Sequence, residues 1–331
     1  MDESNDPSAR DDRREGSWLR RLGAGRRSRA REDETGERAV PVDAGGSLSD
    51  QWGPSVPTAI WTDSHCHLQD DPDPAETVAL ARAARVGRMV CVGTDEASSR
   101  RAVTLAAELS ANRSPAPGAP LGRGAELFAT VGLHPHDAKA GLGPVNELLD
   151  ELSTSGGLRS WRVVAIGECG LDYHYDNSPR EVQRDVFAAQ IALANRHNLA
   201  LVIHTREAWE DTFSILENEG VPERTIFHCF AGGEQEAKQC LRVGAFLSFS
   251  GIVTFANAEE LRQVVVRCPP DSLLIETDSP FLTPVPHRGR RNSPANVTVV
   301  GNAIGQLKGF EPELLAALSW TNAEKAFGLG G

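Results

Sequence analysis

Histidine and carboxylate side chains recur along this chain at the ends of predicted β-strands. The six positions are His65, His67, Glu168, His204, His228 and Asp278. Each closes a short apolar run and precedes a turn or a new helix. Neutral imidazoles and carboxylates bind divalent cations such as Zn2+. A carboxylate such as Glu168 can also bridge two cations that lie about 3.5 to 4 Å apart. The pattern therefore predicts a two-metal hydrolase site.

Each of these residues has a structural explanation when it is taken alone. His65 and His67 form a His-x-His pair that points both rings to one side of a strand, as satisfied core or surface histidines also do. His204 and His228 could each be a hydrogen-bonded structural histidine. Glu168 could form a salt bridge at the rim of a barrel, and Asp278 could cap a turn. As a set, these explanations require several coincidences at corresponding positions, which favours the functional interpretation.

Short apolar runs alternate with helix-like segments from about residue 57 onward. The predicted strands cover residues 59–63, 88–92, 127–131, 163–167, 200–203, 225–227, 245–249 and 273–276. The predicted helices cover residues 76–85, 96–111, 145–152, 180–197, 208–219, 234–243 and 258–266, with two more at 295–307 and 312–327. Eight strands, each followed by a helix, match a (β/α)8 TIM barrel, whose usual size is roughly 250 residues.

A doubly wound open sheet has the same alternation of strands and helices, so the position of the site residues decides between the two folds. A closed barrel gathers the C-terminal ends of all its strands around one pocket and places the first strand beside the eighth. The barrel thus puts Asp278 next to the His-x-His strand. There it could bind one cation and accept a proton from the attacking water. Glu276 has the same facing one layer deeper, and we expect it to have a supporting role.

Residues 1–55 differ in composition from the rest of the chain. They contain ten Arg and twelve acidic residues and show no sustained apolar periodicity. Such a segment cannot bury enough apolar surface to offset its ordering entropy. We predict a charged, disordered extension over residues 1–55 and a hydrolase barrel over 56–331. The six Arg between positions 20 and 31 leave a nucleic-acid-binding tail as an alternative, but a solvated tail is favoured.

The overall charge bears on possible partners. The formal net charge is -12, with a pI near 5.3, which argues against an extended basic surface that grips nucleic acid. A nucleic-acid substrate is still compatible, because two cations and a few arginines make a local positive site. Aromatic residues make up 6% of the chain, which argues against a long stacking platform for single strands.

The apolar runs and the cysteines bear on the compartment. No apolar run approaches the roughly 18 residues of a transmembrane helix, and no apolar stretch follows the N-terminal Arg pairs. We therefore expect a cytoplasmic protein. Six cysteines occur without a Cys-x-x-Cys pair. We expect them to be reduced, buried packing residues, and those beside Glu168 and the strand-end histidines to face the helix layer.

Six short motifs follow one another in order between about residues 59 and 327. They are Asp63-Ser64-His65-Cys66-His67, Gly132-Leu133-His134-Pro135-His136, Gly167-Glu168-Cys169-Gly170-Leu171-Asp172, His204-Thr205-Arg206-Glu207, His228-Cys229-Phe230 and Thr277-Asp278-Ser279-Pro280. In this order they resemble the motifs of the TatD-type metal-dependent deoxyribonucleases, a family of amidohydrolase-like barrels. Residues 1–55 lie outside the resemblance.

The resemblance implies a barrel that holds two divalent metal ions, for which Mg2+, Mn2+ and Zn2+ are the candidates. One ion would be bound by His65, His67 and Asp278, the other by His204 and His228, and Glu168 would bridge them. The implied reaction is hydrolysis of DNA phosphodiester bonds from the 3′ end, with single strands or 3′ ends as the substrate. The four lysines, at positions 139, 238, 308 and 325, end no predicted strand. This favours Glu168 over a modified lysine as the bridge.

Three further residues are predicted to contact the substrate. His134 and His136 end the third strand and are not needed to complete the metal sites, so we expect them to contact phosphate or sugar. The forked donors of Arg206 could clamp a phosphate oxygen. The alternative for Arg206 is an ion pair with Glu207 or Glu210. Asp172 and Tyr173, which follow the bridging carboxylate, could position a histidine or contact the substrate.

Two other functions remain open from the sequence. The same site on the same fold could hydrolyse an amide, an ester or a small phosphate, because one barrel supports many chemistries. A non-enzymatic scaffold with a nucleic-acid-binding tail is less compatible with an intact set of six metal ligands. We expect a monomer.

Overall fold

The computed structural model describes residues 60–110 and 125–329 of the 331-residue chain. The predicted disordered extension, the domain boundary at residue 56 and the basic cluster at 20–31 lie outside the described residues. The strands are β1 (Trp61–Cys66), β2 (Val86–Cys91), β3 (Glu126–Val131), β4 (Val163–Asp172), β5 (Ala200–Arg206), β6 (Thr225–Phe227), β7 (Phe246–Phe249) and β8 (Leu273–Ile275).

The strands lie side by side in chain order, and each is parallel to the next. The ring closes just after β8. Cys66 and Ser279 form a parallel bridge, and the Asp278 amide donates a hydrogen bond to the His65 carbonyl at 3.0 Å. The buried carboxylate of Asp63 adds two hydrogen bonds, from the amide and the hydroxyl of Thr277. The fold is therefore the predicted (β/α)8 barrel, because an open sheet would not join its first and last strands.

Nine helices in the described region cover the outside of the barrel and one of its ends. They are α1 (Pro74–Ala83), α2 (Glu96–Leu109), α3 (Gly143–Thr154), α4 (Arg180–His197), α5 (Trp209–Glu219), α6 (Glu234–Arg242), α7 (Glu259–Arg267), α8 (Val297–Lys308) and α9 (Pro312–Phe327). Within the described ranges, every helix is too short or too polar to cross a membrane.

Side-chain chemistry fixes several helix ends. Asp95 begins α2 with a capping box, in which its carboxylate accepts from the Ser98 amide at 2.7 Å and the Ser98 hydroxyl accepts from the Asp95 amide. At the other end of a helix, the Lys308 ammonium donates to the carbonyls of Val265 and Cys268 and so satisfies the last turn of α7.

Alternation along the strands separates two apolar layers. A large cluster lies between the strands and the helices, and a smaller one, which includes Val202, Ile226 and Leu274, lies inside the barrel. Alternate residues of a strand share a face, so His204 and His228 follow these apolar positions into the upper barrel. Phe327 of α9 also belongs to this inner cluster. The barrel thus has an apolar lower half and a polar upper half.

All six cysteines are free, and five of them are buried, as expected. The expectation that Cys229 is buried is wrong, although the residue does pack against the large cluster between the strands and the helices. This residue is half-buried and lines the pocket at the C-terminal end of the barrel. Its backbone φ of +43° lies outside the extended range, so the alternation of β6 ends before it.

Candidate active site

Glu168 lies at the centre of the site and is almost fully buried. Its Oε2 lies 3.5 Å from His65 Nε2 and 3.9 Å from His67 Nε2. Both of these histidines also approach Asp278 Oδ1, at 3.6 and 3.4 Å. We call His65, His67 and Asp278 the first ligand group.

The other oxygen of Glu168 faces a second cluster of imidazoles. Its Oε1 lies 2.8 Å from His228 Nε2, 3.0 Å from His204 Nδ1 and 3.3 Å from His134 Nε2. We call His134, His204 and His228 the second ligand group. The sequence placed His134 with the substrate, whereas the structure brings it to the same carboxylate oxygen as the two predicted ligands. Each oxygen of Glu168 therefore has its own set of donors.

The path of β4 places Glu168 between the two groups. The predicted end of this strand at residue 167 is wrong, because β4 continues to Asp172. Gly167 and Gly170 have φ values of +139° and +134°, which non-glycine residues rarely adopt. A Cβ on Gly170 would lie 2.0 Å from the His204 carbonyl oxygen. The glycines thus let β4 stay paired with β5 while its register shifts around Glu168.

β1 is also displaced from its prediction, since it ends at Cys66 rather than at residue 63. His65 therefore lies within the strand and His67 directly after it. β8 ends at Ile275, so Glu276 and Asp278 lie in the segment that closes the barrel.

Two buried carboxylates contact the ring nitrogens of the histidines that do not face Glu168. Asp172 Oδ2 lies 3.1 Å from His204 Nε2 and 3.0 Å from His136 Nε2. Glu276 Oε1 lies 3.3 Å from His228 Nδ1 and accepts a hydrogen bond from the Cys229 amide at 2.8 Å. A carboxylate on the second ring nitrogen fixes the orientation and tautomer of an imidazole whose first nitrogen is a ligand. His204 and His228 thus each have an orienting partner.

Burial and charge set the protonation of the cluster. Burial alone would raise the pKa of Glu168, but the imidazoles around it, His228 foremost, hold that pKa well below its ordinary value. Burial lowers the pKa of His134 to about 4 and, with repulsion from His228, also lowers the pKa of His65. Burial would lower the pKa of His228 as well, yet Glu168 and Glu276 raise it. The carboxylates therefore draw positive charge into the cluster.

The spacing of the first ligand group fits a divalent cation. Both ring nitrogens of His65 are buried, and neither has a hydrogen-bond partner among the described residues. Its Nε2 lies 3.5 Å from Glu168 and 3.6 Å from Asp278. A tetrahedral cation with ligand distances near 2.1 Å separates its ligand atoms by about 3.4 Å. His65 Nε2 is therefore spaced from each of the two carboxylate oxygens as two ligands of one ion are, and His65 lacks any other partner for its nitrogens.

The site opens into a pocket of about 750 Å3 at the C-terminal end of the barrel. The pocket is lined by ligand-group residues and by all three predicted substrate residues, His134, His136 and Arg206, while His65 lies buried below it. The Arg206 guanidinium lies 4.6 Å from the centre of the Tyr175 ring. Glu207, the alternative partner of Arg206, contacts His174 at 2.9 Å.

The family model described as TatD related DNase matches residues 62–328 of this chain. The chain belongs to the TatD-related DNase family. YabD of Bacillus subtilis, named an uncharacterized metal-dependent hydrolase, is 40% identical over 269 residues, which span 80% of this chain and 98% of YabD. The 3′-5′ ssDNA/RNA exonuclease TatD of Klebsiella pneumoniae is 32% identical over 264 residues, spanning 78% and 92% of the two chains.

A solved structure agrees with the family assignment. The crystal structure of YJJV, a TatD homolog from Escherichia coli, matches with a TM-score of 0.70 and 26% identity, covering 81% of this chain and 98% of that one. Membership of the TatD-related DNase family confirms the predicted enzyme class, a metal-dependent hydrolase that acts on ester bonds.

The sequence did not identify the aromatic residues that line the pocket, which include Tyr175 and Phe281. Their signal was available, because Tyr175 follows the Asp172 motif and Phe281 follows Asp278 by three residues. An aromatic residue in such a turn has no strand or helix face to indicate its direction, so its position in the pocket required the structure.

Proposed function

We propose that this chain hydrolyses phosphodiester bonds of single-stranded DNA from the 3′ end, with two divalent cations. One observation carries the proposal, namely that the two oxygens of Glu168 each face a separate donor group. In this proposal His65, His67 and Asp278 would hold one cation, His204 and His228 would hold the other, and Glu168 would bridge them. Bound divalent cations would supply Lewis acidity toward the phosphate and the attacking water.

The charge of the pocket supports the need for cations. Among the described residues that line it, Arg206 is the one with a permanent positive charge, whereas six are acidic: Asp70, Asp137, Glu168, Asp172, Glu207 and Asp278. Cations bound among these carboxylates would offset their negative charge and so favour the approach of a phosphodiester. Two divalent ions add four positive charges at the point where the phosphate must bind.

Protein side chains carry the remaining steps. Burial would raise the pKa of Asp278, but His67 and the other imidazoles hold it below its ordinary value, so the carboxylate is ionised at neutral pH. It is our candidate to accept the proton of the attacking water and later to return it to the leaving group. Arg206 would donate to a non-bridging phosphate oxygen. His134 and His136 line the same pocket and would contact phosphate or sugar.

The choice of substrate and direction has support from a relative. The Klebsiella pneumoniae protein that is 32% identical is named a 3′-5′ ssDNA/RNA exonuclease. That name includes RNA, so the experiment compares both nucleic acids. The second function considered from the sequence, hydrolysis of an amide, a carboxylic ester or a small phosphate, is tested in the same assay.

The experiment follows the cleavage of one single strand labelled at either end, in Mg2+, Mn2+ or Zn2+. We expect the 3′ label to be released as a mononucleotide at once, while the 5′-labelled strand shortens stepwise. The Glu168→Ala variant should be inactive, and Glu151→Ala, which changes an exposed carboxylate on α3, should match the wild type. Metal-loaded protein that leaves DNA and RNA intact but hydrolyses an amide or a carboxylic ester would overturn the proposal.

A further inference from the structure

Two aromatic rings lie at opposite ends of the imidazole cluster. The ring centre of Phe281 is 6.0 Å from that of His67, and the ring centre of Tyr175 is 5.3 Å from that of His136. Between these ends, the rings of His65, His228 and His204 follow one another at 4.0 and 5.6 Å. A phosphate bound at the centre of the cluster would thus have one aromatic side chain on each side.

Phe281 is exposed although it is large and apolar. Its exposed fraction is 40%, and it lines the pocket. Trp209 also lines the pocket, but its ring packs against that of Phe230 at 5.4 Å between ring centres. When a ligand covers an exposed apolar ring at the rim of a substrate pocket, the removal of apolar surface from water favours binding.

The exposure of Phe281 does not come from a loosely held loop. Its amide donates to the Asp278 carbonyl at 2.9 Å, and its carbonyl accepts from the buried Asn292 side chain at 2.6 Å. The backbone of Leu282, the next residue, packs closely against Gly251, since a Cβ on Gly251 would lie 2.1 Å from the Leu282 carbonyl oxygen. The backbone therefore holds the ring at the rim beside the first ligand group.

Tyr175 is anchored in a comparable way on the other side. Its amide donates to Asp172 Oδ1 at 2.9 Å, the same carboxylate that orients His204. The Arg206 guanidinium lies 4.6 Å from the centre of its ring. Because the guanidinium lies over one face of the ring, a base would stack on the opposite face while the phosphate of the nucleotide pairs with the guanidinium.

We infer that Phe281 and Tyr175 stack the two nucleobases that flank the scissile phosphate. The inference rests on the proposed function and gives it a substrate requirement, namely unpaired bases on both sides of the bond. A base can lie on a protein ring only when it is free of its duplex partner and stack. Two stacking positions also agree with the low aromatic content of the chain, which does not support a long platform.

The test pairs each side chain with the base that it would stack. Single strands are made with an abasic tetrahydrofuran residue on one or the other side of the terminal phosphodiester, and kcat/KM is measured for each. Loss of one base should reduce the wild-type value about 5- to 150-fold, the usual range for a stacked base. Phe281→Ala should show a similar loss of kcat/KM on the intact strand. Removal of the one base that Phe281 stacks should then cause no further loss in this variant.

The same variant should remain sensitive to the base on the other side, and Tyr175→Leu should show the reciprocal pattern. Phe281→Leu keeps apolar volume without a π face. It should fold as the wild type does, but most of its sensitivity of kcat/KM to removal of the stacked base should be lost. Val285→Ala is the matched control, since Val285 is an exposed apolar residue of the same loop outside the pocket lining. Equal losses for wild type and Phe281→Ala on removal of each base would overturn the inference.

A binding measurement separates this inference from the proposed function. A phosphorothioate-linked strand carrying 2-aminopurine at either flanking position is bound without turnover. Its fluorescence should be quenched by the wild type and not by Phe281→Ala or Tyr175→Leu at the corresponding position. Quenching that is equal in all three proteins would overturn the stacking inference. Failure of the wild type to cleave any nucleic acid would instead overturn the proposed activity.

Discussion

Glu168 connects the two ligand groups through separate oxygens, and this connection could be only partly predicted from the sequence. The alternation of polar residues after apolar runs identified Glu168 and the ligands predicted around it. The approach of His134 to Glu168 Oε1, at 3.3 Å, could not be predicted, because it depends on how β3 lies against β4. The sequence therefore predicts the residue types of the site, while the pairing of strands decides which of them share an oxygen.

Asp172 gives a prediction at the residue scale. Its carboxylate lies within 3.1 Å of both His204 and His136, so Asp172→Asn should leave Nε2 of both rings without an anionic partner. We expect metal affinity or activity to fall about 10- to 100-fold, as for other orienting carboxylates. The measurement is metal titration of the variant. Asp137→Asn makes the same charge change at an exposed position of the same pocket, and an equal loss there would contradict an orienting role for Asp172.

Asp278 gives a second prediction at this scale. Asp278→Asn keeps a side-chain oxygen but removes the carboxylate that would accept a proton under the proposed function. Turnover should therefore fall by about 10²- to 10⁴-fold, with a much smaller change in binding of a non-hydrolysable strand. Steady-state kinetics and a separate binding assay check this. An increase in KM at unchanged kcat would show that Asp278 contributes to binding only.

At the scale of elements, the sequence predicted all eight strands but misplaced some of their ends. The largest error was in the predicted end of β4, which the sequence analysis placed at Gly167. In the structure, β4 continues through Gly167 and Gly170 to Asp172, with a shifted register against β5. Local propensity cannot foresee this, since the glycines are required by close approach to a neighbouring strand. The distortion brings Glu168 to the centre of the site.

Gly170→Ala tests the role of that close approach. The new Cβ would meet the His204 carbonyl oxygen at 2.0 Å with φ at +134°. We expect a loss of roughly 2 to 5 kcal/mol in the free energy of unfolding, from backbone strain and overpacking together. Chemical denaturation measures it. Gly141→Ala is the control, because Gly141 also has a positive φ, +78°, but nothing within 4 Å of its Cβ position. Equal losses in the two variants would show that the contact with β5 is not the cause.

At the scale of the whole molecule, the barrel could be predicted because the site residues required its closure. His65 on β1 and Asp278 after β8 must meet if they share an ion, and an open sheet cannot bring them together. The structure joins these segments through the bridge between Cys66 and Ser279. The role of α9 could not be predicted in the same way, because its packing under the inner cluster depends on where the closed barrel leaves apolar surface.

The link between metal and folding gives a prediction at this scale. Cations that bind only the folded barrel stabilise it by mass action, by about 2.7 kcal/mol for one site at 100 times its Kd. Removing metal with a chelator should therefore lower the Tm, and adding Mn2+ or Zn2+ should restore it. Differential scanning calorimetry follows the change. Glu168→Ala should show a smaller metal-dependent shift, whereas an equal shift would place the stabilising cations elsewhere.

The proposed bridging role of Glu168 is tested most directly by the number of metal ions per chain. Inductively coupled plasma mass spectrometry on metal-saturated, desalted protein measures that number for the wild type and for Glu168→Ala. We predict two ions per chain in the wild type and at most one in the variant, because both ligand groups lose their shared carboxylate. A single ion in the wild type, or two ions retained without Glu168, would contradict a bridged pair of cations.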